Sequence, residues 1–160
     1  MAENTELDSV DLAILEHLQN DARVPNKDLA ARVGVAPSTA LQRVRALLRR
    51  GVIRAVRAVV DPAALGRPLH AFLQVRMRVH TRDLVGPFRA FVLGQPETVA
   101  LYHVAGPEDF VVHVAVPDQG HLQRLILDGF TSRPEVAHVQ TILIFESAER
   151  EVQLPVPPRT

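Results

Sequence analysis

Apolar residues recur at helical spacing in two segments near the start of the chain. The first predicts a helix over about 9–20 that Asp8 caps, with an apolar stripe made of Val10, Ile14, Leu15 and Leu18. The second predicts a shorter helix over about 27–33, with Asn26 as its cap and Gly34 as a left-handed stop. The chain is therefore expected to begin with two short amphipathic helices.

A third helical pattern begins at Pro37 and ends at Gly51. Its apolar stripe consists of Ala40, Leu41, Val44, Leu47 and Leu48. Only residues 34–36 separate it from the second helix, so the pair predicts a helix-turn-helix. The segment 52–60, which is β-branched and punctuated by arginines, then predicts a strand or wing.

Beyond residue 68 the apolar pattern changes repeatedly between the period of strands and that of helices. It predicts strands over 72–79, 98–105, 109–116 and 136–145, and helices over 84–93 and from Pro117 to near Pro134. This β-α-β-β-α-β order is that of a ferredoxin-like domain, an antiparallel four-stranded sheet with two helices on one face. The other face needs cover, which predicts a homodimer.

The predicted fold class is therefore α+β, with two domains of different build. Residues 1–60 are expected to form a winged helix-turn-helix, and residues 61–67 a linker. Residues 68–150 are expected to form the βαββαβ domain, and residues 151–160 a Pro-rich tail.

The amino-acid composition excludes several kinds of functional site. The 160 residues include no cysteine, which excludes disulfides, thiol nucleophiles and cysteine-bound metal centres. The seven histidines form no close metal-type pair, so we expect no metal site and no cofactor. The acidic start of the chain and the lack of a long apolar run predict a cytoplasmic protein that does not enter a membrane.

The formal net charge is zero, from 18 basic and 18 acidic residues, but the charges are unevenly spread. Residues 32–57 hold seven arginines and no aspartate or glutamate. Residues 61–160 hold nine basic and eleven acidic side chains. A basic segment beside a mildly acidic remainder predicts that the first domain binds a polyanion and that the second has another task.

The polar side of the third helix carries the candidate contacts to double-stranded DNA. Ser38, Thr39 and Gln42 are the predicted base readers, because glutamine can bond adenine through two hydrogen bonds and hydroxyls suit base edges or phosphates. The predicted phosphate contacts, which fix position without reading sequence, are Arg43, Arg45, Arg49 and Arg54. The alternative is a solvated arginine face on a helical bundle. Solvated helices usually intersperse both signs of charge, so the acid-free stretch favours DNA.

Several of these segments together resemble the Lrp/AsnC family, the leucine-responsive and asparagine-responsive or feast/famine regulators. In the first domain the matching pieces are Leu7-Asp8-x-x-Asp11-x-x-Ile14-Leu15-x-x-Leu18, Asp21-Ala22-Arg23, Leu29-Ala30-x-x-Val33-Gly34, Pro37 through Arg43-Val44 to Leu47, and Gly51-Val52-Ile53. In the second domain they are Val104-Ala105-Gly106-x-x-Asp109-Phe110 and the element order. The resemblance covers about residues 7–150.

The resemblance implies a sequence-specific DNA-binding transcriptional regulator that responds to an amino acid or a related metabolite. It implies that the βαββαβ domain is amino-acid-sensing and that homodimers assemble to octamers. By analogy, the effector binds between dimers at the hairpin loop, whose residues here are Ala105, Gly106, Pro107, Glu108 and Asp109. Gly106 permits close backbone approach and Asp109 could receive an amino group, while an ordinary turn with a solvated acid is the alternative.

The sequence departs from the family pattern at two places. Ala36 stands where the family usually has a hydroxyl residue that caps the third helix. Ala105 lacks the hydroxyl that often precedes the loop glycine, and Pro107 removes one amide donor. These departures concern the effector and leave the expected fold unchanged.

Two other functions fit parts of the sequence. Siroheme decarboxylases have an architecture that resembles these two domains, and they use basic residues and histidines around a tetrapyrrole. Here His103 and His113 could face each other across the hairpin. An enzyme has no need of the acid-free arginine segment, so we predict a regulator that is not an enzyme. The other alternative is a sensor or assembly module that no longer binds DNA, which the absence of salt-dependent DNA binding would identify.

Overall fold

The structure is a computed structural model that describes residues 6–78, 82–148 and 154. These residues fall into two compact units, one ending at Ala58 and the other running from Val59 to Ala148. Within these ranges no helix is both long and apolar enough to cross a lipid bilayer. Each unit has a hydrophobic core of its own.

Three helices build the first unit: α1 (Ser9–Asn20), α2 (Asn26–Val33) and α3 (Pro37–Arg49). Their inner sides meet in a core made of Ile14, Leu15, Leu29 and Leu47, against which Leu154 also packs. The predicted helix-turn-helix is confirmed.

Hydrogen bonds at the helix ends explain where these helices begin and stop. Asp8 caps α1 as predicted, since its Oδ1 accepts from the Asp11 N–H at 2.8 Å. Gly34 ends α2 with a φ of 71°, which glycine adopts without steric cost. Asn26 is not a cap, because α2 already begins there. Its Nδ2 instead donates to the Pro37 carbonyl oxygen at 2.8 Å, which ties the start of α2 to the start of α3.

The expected apolar stripe of α3 is only partly buried. Ala40 and Leu47 are fully buried, whereas Leu41 and Leu48 are 40% and 41% exposed. At 3.6 residues per turn, Leu41 and Leu48 lie about 90° around the helix from the centre of the buried side. Their inclusion in the buried stripe was therefore wrong.

The segment after α3 is not the expected strand. Residues 54–60 have no hydrogen-bonded neighbour strand among the residues that the structure describes, and Val56 and Val59 are largely exposed. A strand forms only beside another strand, and the first unit offers none. A short 3₁₀ helix, Ala63–Leu65, follows in the expected linker.

The second unit has the predicted βαββαβ order. Its elements are β1 (Leu69–Met77), α4 (Arg82–Gly94), β2 (Thr98–His103), β3 (Phe110–Val116), α5 (Gln119–Arg124, continued by a π-helical segment Leu125–Thr131) and β4 (Val136–Ile144). The sheet order is β2-β3-β1-β4, and every neighbouring pair is antiparallel. The ferredoxin-like fold is confirmed. β1 begins three residues earlier than expected, and Val79 lies outside the described residues.

Helices pack against one face of this sheet and leave the other face partly exposed. On the helix side, Leu73 of β1 and Val112 of β3 are fully buried together with Phe88 of α4. Side chains alternate along a strand, so the opposite side carries a second set. We call that opposite side the open face, and its large side chains are Phe72, Tyr102, Val111 and Ile142. Tyr102 and Ile142 are 53% and 41% exposed there.

Candidate functional site

One side of α3 presents polar and basic side chains to solvent. Four of the predicted DNA contacts, Ser38, Gln42, Arg45 and Arg49, lie within an arc of about 60° at 3.6 residues per turn, and all four are exposed. We call these four residues the outer arc. Because Ala40 and Leu47 face the core on the opposite side, packing fixes the direction in which the outer arc points.

Two further predicted contacts, Thr39 and Arg43, are half-buried and lie outside the outer arc, about 60° and about 100° around the helix from Gln42. The Arg43 Nη1 donates to Asp8 Oδ2 at 2.6 Å and to Asp11 Oδ1 at 3.0 Å. Asp11 is almost fully buried, and Arg50 Nη1 lies 3.7 Å from its second oxygen. Arg43 therefore joins α3 to the beginning of α1.

These contacts shift the titration of the groups involved. The Asp11 backbone N–H, and then the Arg43 guanidinium, hold the pKa of Asp8 below its ordinary value, because both donate to its charged form. The same bonds to Asp8 and Asp11 raise the pKa of Arg43. Asp8 and Asp11, which lie outside residues 32–57, thus compensate part of the positive charge of that segment.

The remaining arginines of the predicted set are not compensated in this way. Within the part of the chain that the structure describes, no carboxylate lies within 4.0 Å of Arg45, Arg49 or Arg54. Arg54 lies beyond α3 and lines a groove of about 600 Å³ between α1 and residues 52–57. The outer arc and Arg54 therefore carry positive charge that no carboxylate among the described residues pairs.

The predicted effector loop is longer than expected, because β2 ends at His103 and β3 begins at Phe110. Its tip, Ala105, Gly106 and Pro107, is exposed. A β-carbon at residue 106 would meet no described atom within 4 Å apart from those of residues 105–107. The tip therefore offers backbone groups and open space.

The acidic residues of this loop hold its second half on β1. Arg76 Nη2 donates to Glu108 Oε1 at 3.2 Å, and the Glu108 side chain is mostly buried. Asp109 Oδ2 accepts from the Met77 N–H at 2.7 Å, and the Asp109 N–H donates to the Val75 carbonyl oxygen at 3.0 Å. Asp109 is therefore both a structural residue and a carboxylate at the foot of the loop.

The histidines do not lie where the enzyme interpretation needs them. In the hairpin His103 is opposite Phe110, and His113 is opposite Ala100, so the expected His103–His113 pairing is wrong. Residues 100–103 pair with residues 110–113 in one unbroken register, which keeps the two histidines three positions out of alignment. His113 Nε2 instead lies 3.0 Å from His70 Nδ1 across β1 and β3. Among the residues described, no three His, Asp or Glu side chains gather as a metal site requires.

Two functional contacts were missed by reasoning from the sequence. The Asp8 and Asp11 partners of Arg43 are 35 and 32 positions away in the chain, and local spacing does not reveal such pairs. The only signal was the absence of acids from 32–57, which left the arginines in need of partners elsewhere. The Arg76–Glu108 pair is equally long-range and required the register of β1 and β3.

Comparison with protein families matches both units. Residues 7–54 match a winged helix-turn-helix DNA-binding domain, and residues 70–154 match the Lrp/AsnC ligand binding domain. The chain is 40% identical to the HTH-type transcriptional regulator AldR of Mycolicibacterium smegmatis, over 88% of this chain and 82% of that protein. It is 31% identical to the leucine-responsive regulatory protein of Rhizobium meliloti, over 98% of this chain and 100% of that protein.

Solved structures give the same result. A transcriptional regulator of Neisseria meningitidis in complex with L-Met superposes with a TM-score of 0.84 at 28% identity, over 94% of this chain and 97% of that one. An AsnC family transcriptional regulator from Agrobacterium tumefaciens superposes with a TM-score of 0.81 at 27% identity, over 92% of this chain and 96% of that one. The similarity therefore extends over both units.

The different surroundings of Arg43 and Arg49 predict different effects on stability. Arg43→Gln leaves the buried Asp11 carboxylate short of a donor, and we expect it to destabilise the first unit by about 1–3 kcal/mol. Arg49→Gln, on the outer arc, should change stability by less than about 0.5 kcal/mol. Hydrogen exchange of the α1 and α3 amides in the full chain measures both.

Acid should reduce the difference in stability between wild type and Arg43→Gln, because Arg43 also bonds to Asp8. Folding lowers the pKa of Asp8. Its charged form therefore stabilises the fold above the ordinary pKa of Asp8, and this effect is lost as the pH falls through the lowered value. The gap between wild type and Arg43→Gln should therefore shrink below about pH 4. Equal protection of both variants at neutral pH, or a gap that persists in acid, would contradict the assigned role of Arg43.

Proposed function

Because this chain belongs to the Lrp/AsnC family of transcriptional regulators, we propose that α3 is its recognition helix and that the outer arc enters the major groove of double-stranded DNA. The outer arc carries this proposal. It combines a hydroxyl and an amide near the helix N-terminus with two guanidiniums further along. Neither guanidinium has a carboxylate neighbour among the described side chains.

The order of residues along α3 separates the proposed base contacts from the proposed phosphate contacts. Ser38, Thr39 and Gln42 lie in the first two turns, where recognition helices reach base edges. Arg45, Arg49 and Arg54 follow and are proposed to hold phosphates, which supply affinity without sequence preference. Arg43, the remaining member of the predicted set, is assigned to holding α3 on α1 through Asp8 and Asp11.

A homodimer is proposed from two exposed apolar features. The open face of the sheet presents Tyr102 and Ile142, which a second copy would cover. Residues 54–60 form no strand within the described chain, although their exposed valines suit one, and a second copy would supply the neighbour. By the family resemblance, such dimers assemble further to an octamer or another even oligomer.

The second unit is a ligand-binding domain, and we propose that its effector is an amino acid bound at the loop 105–109 between dimers. The Neisseria meningitidis regulator, a structural relative, was solved with L-Met. The exposed backbone at Ala105 and Gly106 suits an α-carboxylate, and the Asp109 carboxylate suits an α-ammonium group.

The division of α3 predicts two kinds of DNA-binding defect. Gln42→Ala should weaken binding to preferred sites by about 1–3 kcal/mol and relax their sequence preference. Arg49→Ala should weaken binding to all sequences alike and reduce the salt dependence by about one counterion. Fluorescence anisotropy with fragments selected from random DNA, at several salt concentrations, measures both. Arg89→Ala, an exposed arginine of α4, is the control and should bind as wild type. Equal losses for Gln42→Ala on every sequence would sink the assignment.

The proposed dimer predicts that a charge on the open face separates the copies. Ile142→Asp places a carboxylate in an apolar contact, where it cannot be solvated, so the variant should sediment as a monomer. Leu127→Asp, at 53% exposure on the helical side, is the matched control and should remain dimeric or larger. Analytical ultracentrifugation distinguishes these outcomes. An Ile142→Asp variant that assembles like wild type would show that the open face is not the interface.

The proposed effector site predicts that charge at Asp109 governs amino-acid affinity. Asp109→Asn retains an oxygen for the Met77 N–H but loses the negative charge, so binding should weaken about tenfold or more. Titration calorimetry with each proteinogenic amino acid measures this, with Asp128→Asn on the exposed helical side as the control. If Asp109→Asn binds as tightly as wild type, or if no amino acid binds wild type, the effector proposal fails.

A further inference from the structure

Two leucines of α3 are exposed although helix periodicity placed them in the core. Leu41 and Leu48 are 40% and 41% exposed, so they have nearly equal accessible fractions on one helix. They are seven positions apart, which is about 10.5 Å along the helix axis. They therefore differ mainly in how far they lie from the N-terminal end of α3.

Leu41 borders the part of α3 that is proposed to read bases. At 100° per residue it lies about 60° from Ser38 and about 40° from Arg45 around the helix. It is the fifth residue of α3, next to Gln42, whereas Leu48 is the twelfth, beside Arg49. If the outer arc lies in the major groove, Leu41 lies at the depth of the base edges and Leu48 nearer the phosphates.

The major groove offers one apolar group for such a side chain, the C5-methyl group of thymine. Polar base edges are matched by Ser38 and Gln42, and a leucine satisfies none of their hydrogen bonds. The unpaired guanidiniums of Arg45 and Arg49 draw the polyanion to this side of the helix, which favours DNA over a second copy of the same basic surface.

We infer that Leu41 is a specificity residue that packs against a thymine methyl group beside the base pair read by Gln42. The inference rests on the proposed placement of α3 in the major groove. It adds a preference for thymine that hydrogen bonding alone does not give. Removing one buried methyl group weakens an apolar contact about fourfold, which sets the expected size of the effect.

Uracil tests this inference, because it keeps the hydrogen-bonding edge of thymine and lacks only the methyl group. A preferred site selected from random DNA is synthesised with uracil at one thymine position at a time, and the affinity of the full-length chain is measured for each. Wild type should lose about fourfold at one or two positions. Leu41→Ala should bind the thymine site more weakly and show no further loss with uracil there. Leu48→Ala, the matched control, should keep the wild-type sensitivity.

The outcomes separate this inference from the proposed function. If wild type binds no DNA, the recognition-helix proposal itself fails. If wild type binds but tolerates uracil at every position, or if Leu41→Ala remains as sensitive as wild type, the role of Leu41 is overturned. Equal weakening of all sites by Leu41→Ala, together with a changed sedimentation coefficient, would assign Leu41 to a contact between copies instead. Thermal unfolding of each variant verifies that the fold is retained.

Discussion

The ion pairs of Arg43 with Asp8 and Asp11 determine how the first unit presents α3. Arg43 reaches the capping residue of α1 at 2.6 Å and the nearly buried Asp11 at 3.0 Å, on a side of α3 away from the outer arc. Asp8 serves two purposes, because it also caps α1 by accepting a hydrogen bond from the Asp11 N–H. A single network therefore starts one helix, fixes the rotation of another and leaves Arg45 and Arg49 facing solvent. Apolar packing of Ala40 and Leu47 gives the same rotation, so charge and hydrophobic burial agree.

A similar division of work appears in the loop of the second unit. Glu108 and Asp109 are held by Arg76 and by the Met77 N–H, which anchors the second half of the loop on β1. The tip at Ala105, Gly106 and Pro107 remains exposed. In both units, acidic and basic side chains fix the frame while neighbouring groups remain accessible to a ligand. A binding site on a frame fixed in this way loses less conformational entropy when its ligand arrives.

The elements could be read from the sequence because their signals are local. Apolar periodicity, Pro37 and Gly34 placed the three helices, and alternation placed the strands of the ferredoxin-like sheet. Three interpretations were wrong because their outcome depends on distant partners. Residues 52–60 have the composition of a strand but no neighbour in the described chain. His113 is opposite Ala100 because the loop 104–109 pairs residue 103 with residue 110 and so sets the register of the hairpin. Asn26 is the first residue of α2 and not its cap, and its side chain bonds to Pro37, eleven positions away.

The sequence also indicated which residues could belong to the DNA-binding site, although it did not separate the proposed DNA contacts from the arginine that joins α3 to α1. Seven arginines without an acid pointed to α3, but only long-range geometry separates Arg43 from Arg45 and Arg49. The most direct test of this division is a crystal structure of the full chain bound to a selected DNA site. This division predicts that the outer arc lies in the major groove and that Arg43 stays within about 3 Å of Asp8 and Asp11. An Arg43 that leaves both carboxylates to contact a phosphate, or an α3 that lies outside the groove, would contradict it.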